Sequence, residues 1–213
     1  MTRAKLGLVL AAVALLAGCG PSRSSFDPSG PCSTDGRAAG AYPDLEAKVP
    51  HLLLGTPPSS LDSGRSCSEE RLGTLKAHGV TELRFAGATW SPEDAAQTVI
   101  AVFTTPPGAP PLDAAWMEEF YRAGAEGTSK TENINITRPS VPSVGAVWRI
   151  DTLNELSYQS VVVWPGDGLI HAVIVATPVR PGGPTHADHD QSVQIAVSNA
   201  VEPEPGLTHP PAS

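Results

Sequence analysis

The spacing of apolar and polar positions divides this chain into an ordered series of segments. Residues 6–16 are an unbroken run of Leu, Val, Ala and Gly, preceded by Arg3 and Lys5. A charged start followed by a short apolar stretch is the layout of a secretory signal peptide. The run is shorter than the ~20 residues a membrane-spanning helix needs. Residues 20–41 are rich in Gly, Ser, Pro and Ala without periodicity, which predicts a flexible tether. Residues 43–49 predict a short helix stopped by Pro50. Residues 68–79 predict a helix with a Ser68 cap, Glu69 and Glu70 in its first turn and Gly79 as its stop. Strands are expected at 80–85 and 98–105, the second carrying Val99, Ile100, Val102 and Phe103. The proline-rich stretch 106–111 breaks the chain. A helix follows at 112–125, with Leu112, Ala115, Trp116, Phe120 and Ala123 on one face.

Four β-like segments come next, at 132–138, 144–153, 157–164 and 169–177. Pro165-Gly166-Asp167-Gly168 signals a hairpin between the last two, and Asn154-Glu155 leaves room only for a tight turn. Connections this short force antiparallel neighbours. A final helix spans 185–200, with Val193, Val197 and Ala200 in register. The order predicts an α+β domain: an antiparallel sheet of about five to six strands with helices packed on one face. Four prolines in 202–213 predict a disordered tail. The expected organisation is a signal peptide at 1–18, a tether at 19–41, one domain at 42–201 and a tail at 202–213.

Leu16-Ala17-Gly18-Cys19 closes the apolar run and resembles the bacterial lipobox. That resemblance implies cleavage before Cys19, lipid on its sulfur, and an extracytoplasmic protein held to the cell membrane, on a Gram-positive surface or facing a periplasm. Losing Arg3 and Lys5 with the leader takes the net charge from −8 to −10. So acidic a body gives no electrostatic reason to bind nucleic acid or an anionic lipid surface. Attachment then rests on acyl chains, of which two or more hold stably. With Cys19 assigned to lipid, Cys32 and Cys67 remain as an even pair in an oxidising compartment, and a disulfide is expected. Two free thiols are the alternative. No short Cys-x-x-Cys spacing supports a metal pair.

The helix at 112–125, the Val144-Gly145-Ala146-Val147-Trp148 start of a strand, the 165–168 hairpin and the terminal helix occur in an order that resembles the PsbP-like fold. That fold is shared by photosystem extrinsic proteins and actinobacterial lipoproteins. The resemblance covers residues 80–201 and implies a docking or small-ligand scaffold. It brings no catalytic residue. Leu45-Glu46-Ala47-Lys48-Val49-Pro50 with Leu54-Gly55 also looks like the opening of many bacterial lipoproteins of undetermined function.

The sharpest candidate for chemistry is Thr185-His186-Ala187-Asp188-His189-Asp190. His186, Asp188, His189 and Asp190 have the donor types for a divalent ion, and the run resembles part of the metallo-β-lactamase metal motif. That motif needs a further upstream His where this chain has Pro184. The competing reading is a helix start, with Thr185 as N-cap and Asp188 closing a capping box. His51 falls in a loop, His78 suits a helix C-terminus, and His171 alternates with apolar residues on a strand. Glu69-Glu70 and Glu118-Glu119 read as solvated helix surface. Trp90 precedes Ser91-Pro92 and Trp164 abuts the hairpin; if exposed, either is a contact anchor for a partner. No nucleophile elbow, phosphate-binding loop or His-Glu-x-x-His is present. The expected function is a non-enzymatic binding or accessory module without cofactor, serving a small apolar ligand or an envelope protein. The alternative is a metal-binding protein or metal-dependent hydrolase built on the His/Asp run.

Overall fold

A computed structural model describes residues 26–93, 95–128 and 131–202. The expected leader, Cys19 and residues 203–213 of the expected tail lie outside the described residues. In chain order the elements are β1 (Gly36–Ala38), α1 (Pro43–Glu46), β2 (Ser60–Ser66), α2 (Glu69–Leu72), a 3-10 turn (Gly73–His78), β3 (Leu83–Trp90), β4 (Gln97–Thr104) and α3 (Ala114–Glu126). They continue with β5 (Glu132–Thr137), the small pair β6 (Ser140–Val141) and β7 (Gly145–Ala146), β8 (Trp148–Leu153), β9 (Ser157–Gly166), β10 (Leu169–Pro178) and α4 (His186–Val201). Eight strands form one antiparallel sheet in the order β1-β2-β3-β4-β10-β9-β8-β5.

The fold class is α+β, with two corrections to the expected layout. The helices cover both faces of the sheet. Leu72, Leu75, Met117 and Tyr121 from α2, the 3-10 turn and α3 pack on Phe85, Val99, Phe103, Val163 and Ile174. On the other face Val193, Ala196 and Val197 of α4, with Val49 beyond α1, pack on Ala88, Ile100, Val102, Val162 and Val173. The reason is visible in β4, β9 and β10. Val99-Ile100-Ala101-Val102-Phe103, Val161-Val162-Val163-Trp164 and Ala172-Val173-Ile174-Val175 are continuous apolar runs, the pattern of strands buried on both sides.

The second correction is the strand count. All six expected strands form, with shifted ends, and two more extend the sheet at its N-terminal edge. Strand β2 reads Ser-Leu-Asp-Ser-Gly-Arg-Ser, which carries no apolar pattern, yet Ser63, Arg65 and Ser66 are buried. Most of these polar groups are hydrogen-bonded, which is what makes their burial tolerable, although Arg65 Nε itself has no hydrogen-bond partner among the described residues. The Arg65 guanidinium donates to the carbonyls of Gly30 (2.6 Å), Pro31 (2.8 Å) and Asp27 (3.2 Å). Gly64 lies so close to the Gly36 carbonyl and Arg37 on β1 that a side chain there has no room. Residues 26–41, expected as tether, are therefore fixed to the sheet.

Local turns obey the sequence more closely. Asp167 and Gly168 both take left-handed φ, 52° and 74°, in a two-residue hairpin of the type I′ kind. The Asn154 side chain accepts from the amides of Leu156 and Ser157, each at 2.8 Å, to close the preceding turn. The helix expected over 68–79 is capped by Ser68 as anticipated. It breaks at Gly73 (φ 50°) and finishes as a 3-10 turn ended by Gly79.

The expected disulfide is present. Cys32 and Cys67 are joined across a sequence separation of 35, with Cα atoms 5.5 Å apart. Asp35 adds to this junction by accepting from the amides of Cys67 (2.6 Å) and Ser68 (2.9 Å). Reduction is expected to cost about 4 kcal/mol on the loop-entropy account. Thermal melting with and without reductant measures the loss, and hydrogen exchange should place the first unprotected amides in β1 and β2.

Candidate functional site

Two places on the α4 face concentrate unusual side chains. The first is an apolar cleft of about 340 Å³ between α4 and the loops that flank β2 and β3. Its wall is a tight turn at 53–56. Leu53 N donates to the Thr56 carbonyl at 2.9 Å, and Thr56 N returns a bond to Leu53 at 3.0 Å. Leu54 (φ 51°) and Gly55 (φ 72°) fill the two central positions, both left-handed. Glycine adopts that geometry freely. A leucine there is strained by roughly 1–2 kcal/mol, and its side chain is 70% exposed.

Trp90, at the end of β3, forms the back of the cleft. Its indole N–H donates to the Thr56 carbonyl at 2.9 Å, so its one polar atom is satisfied internally. Ala95, Ala96 and Pro57 line the same space, and Ile195 and Ser192 of α4 close the opposite side. Trp90 and Trp164, contact anchors only if exposed, are both buried, each 4% exposed. Trp90 still borders the cleft. Trp164 belongs to the core, where His171 stacks on it at 5.5 Å.

The second place is a polar cluster under the first turns of α4, and it separates the His/Asp run. Thr185 and Asp188 form the expected capping box: Asp188 accepts from Thr185 N (2.7 Å), and Thr185 Oγ1 accepts from Asp188 N (3.2 Å). The two bonds Thr185 gives to its carboxylate hold the Asp188 pKa below the usual range. His186 meets Asp190 at 3.1 Å on the helix surface. Asp190 reaches Arg149 on β8 at 2.5 Å. Burial, the largest single effect, works against ionisation of Asp190, but the Arg149 bond and charge together with the nearby imidazoles lower its pKa.

His189 turns inward and is 2% exposed. Its Nε2 lies 2.8 Å from Ser160 Oγ, and its Nδ1 lies 2.8 Å from Thr177 Oγ1. Ser160 gives its one hydroxyl proton to Asp151 at 2.5 Å, so His189 donates from Nε2 and accepts at Nδ1. The imidazole is neutral. Burial first, and then the Arg149 charge, push its pKa down to about 4. Of the four side chains needed for the metal alternative, His186 and Asp190 meet each other, while Asp188 caps the helix and His189 turns into the core. Among the described residues no group of three His, Cys, Asp or Glu is placed to hold an ion.

Asp151, Ser160 and His189 are the residue types of a hydrolase triad in the wrong order. A triad places His between Ser and the acid, so that the His can take the serine proton. Here Ser160 stands between Asp151 and His189, and Ser160 and Thr177 are each 1% exposed. The chain of bonds ties α4 to β8, β9 and β10; its Ser160–His189–Thr177 part is buried, while Asp151 and Asp190 at its outer end are partly exposed. Sequence reasoning located the helix start but not Arg149, Ser160 and Thr177, which lie on separate strands without a shared local motif. Leu54 and Ile195 were also missed; the turn signal in Leu54-Gly55-Thr56-Pro57 marks the cleft loop.

No family model matches the chain, and no curated protein matches it.

Because His189 titrates near 6.5 unfolded and about 4 folded, its contribution is complete above pH 6.5 and is lost as pH falls toward 4. The loss is expected to reach up to about 3 kcal/mol. His171, also lowered, chiefly by burial, adds to the same window. Denaturant unfolding from pH 7 to 4.5 should show this slope, and His189→Gln should flatten it.

Proposed function

We propose that this chain is a lipid-anchored extracytoplasmic lipoprotein whose α+β domain is a non-enzymatic binding module for a small apolar ligand. The observation that carries the binding half is the cleft beside Trp90. It is concave, mostly apolar and within the roughly 300–1,000 Å³ range of small-molecule sites. Its tryptophan is already hydrogen-bonded, so the ring offers a ligand only apolar surface.

The anchoring half rests on the Leu-Ala-Gly-Cys motif after a short apolar run. The Cys32–Cys67 bond supports it, since disulfides persist in oxidising compartments. No helix among the described residues is long and apolar enough to cross a membrane, and a lipid on Cys19 supplies attachment without one. The order from β3 to α4 is compatible with the PsbP-like resemblance, which points the same way, toward a ligand or docking scaffold. The polar cluster under α4 serves this function as a fastener, holding the helix that forms one cleft wall.

Intact mass of the membrane-extracted protein should equal the chain from Cys19 plus acyl groups; a mass retaining residues 1–18 would defeat the anchor. For the cleft, a Cys19→Ser chain free of lipid and detergent is titrated with the neutral fluorophore N-phenyl-1-naphthylamine. Saturable binding is expected, weakened about tenfold or more by Ile195→Asp, which places a charge in an apolar wall. Binding that ignores this substitution would show that the cleft is not the site.

A further inference from the structure

The cleft does not end at Leu54. A second depression of about 520 Å³ lies on the other side of that side chain, along the outer surface of α4. Leu54 and Ile195 border both spaces. The two halves differ in chemistry. The first is floored by Trp90, Pro57 and alanines, whereas the second presents the amides of Gln191 and Gln194 and the hydroxyl of Ser198. Among the described lining residues of both, Glu202 is the sole ionisable group, and it is acidic.

We infer that the occupant is a single amphiphile, its apolar body in the Trp90 cleft and an uncharged head bearing several hydroxyl groups along Gln191, Gln194 and Ser198. This rests on the binding reading above and names the ligand class for that site. Charge decides the head group. Among the described residues no cation lines either space, and the chain carries a net charge of −8. An anionic head meets nothing to pair with and faces Glu202. Amides and a hydroxyl offer both donors and acceptors, which suits hydroxyl groups.

Leu54 supplies the second, independent argument. A strained backbone persists where the surrounding structure or a ligand compensates it. In this turn the strained residue is a 70% exposed leucine rather than a second glycine. Its side chain stands at the junction of the two spaces, where it covers an apolar body as the ligand passes from one to the other.

The test uses the full chain with Cys19→Ser and competition against N-phenyl-1-naphthylamine. The competitors are octyl β-glucoside and octyl sulfate, each below its micelle-forming concentration, and 1-octanol below its solubility limit. Octyl glucoside is expected to compete about tenfold better than the other two. The double substitution Gln191→Ala/Gln194→Ala, on the exposed side of α4, should remove that advantage while leaving the fluorophore's own affinity unchanged. Leu54→Gly should relieve the turn yet weaken all three competitors several-fold. If octyl glucoside competes no better than octanol, or octyl sulfate competes as well, the head-group assignment is overturned while the cleft reading stands. If the fluorophore itself fails to bind, both fall together.

Discussion

Strands β4, β10 and β9 lie in the middle of the sheet with apolar side chains above and below, and the rest of the molecule is placed by that condition. A strand buried on both faces needs cover on both faces. One cover is α3 with the 3-10 turn, fixed by Met117 and Leu75; the other is α4, fixed by Val193 and Val197. The connections follow from this. The chain passes from β4 to α3 on one side before returning through β5, and only after β10 does it lay α4 on the other. The cleft exists because α4 covers the middle of the sheet but not its far corner, where Trp90 and the turn at 53–56 rise beside the helix.

The polar cluster at the start of α4 complements that packing. Apolar contacts alone hold a helix on a sheet without fixing its position along its axis. His189, bonded on both ring nitrogens to hydroxyls of β9 and β10, and Asp190, bonded to Arg149 of β8, register the helix against three strands. A buried network of this kind is costly when any member is missing and specific when all are present. Ile195 on the cleft wall is less than two turns beyond His189, so the network also sets the width of the cleft.

How much of this was legible in the sequence depended on whether the signal was local. The central strands with apolar runs, the capped starts at Ser68 and Thr185, and the Asp167-Gly168 turn all declare themselves within a few residues, whereas the Asp113 cap of α3 was not read. Strand β2 did not, because its burial depends on partners more than 25 residues away, in residues 27–37. The terminal nitrogens of Arg65 are paired with carbonyls at 27, 30 and 31, and Gly64 is required by the close approach of β1. One-sided cover was read from element order, whereas the unbroken apolar runs already carried the two-sided answer. The cleft was illegible for the same reason as β2: Trp90, Leu54 and Ile195 meet only when three distant segments are brought together.

The Cys32–Cys67 bond also sets the route by which mechanical load enters the domain. Tension on the chain upstream of residue 32 would otherwise reach β1 first, and three residues of pairing at a sheet edge unzip one bond at a time. The cross-link diverts that tension through Cys67 to the junction of β2 and α2, behind β1. The weakest strand is bypassed, and the force arrives where the end of β2 pairs along β3 and α2 begins to cover the core.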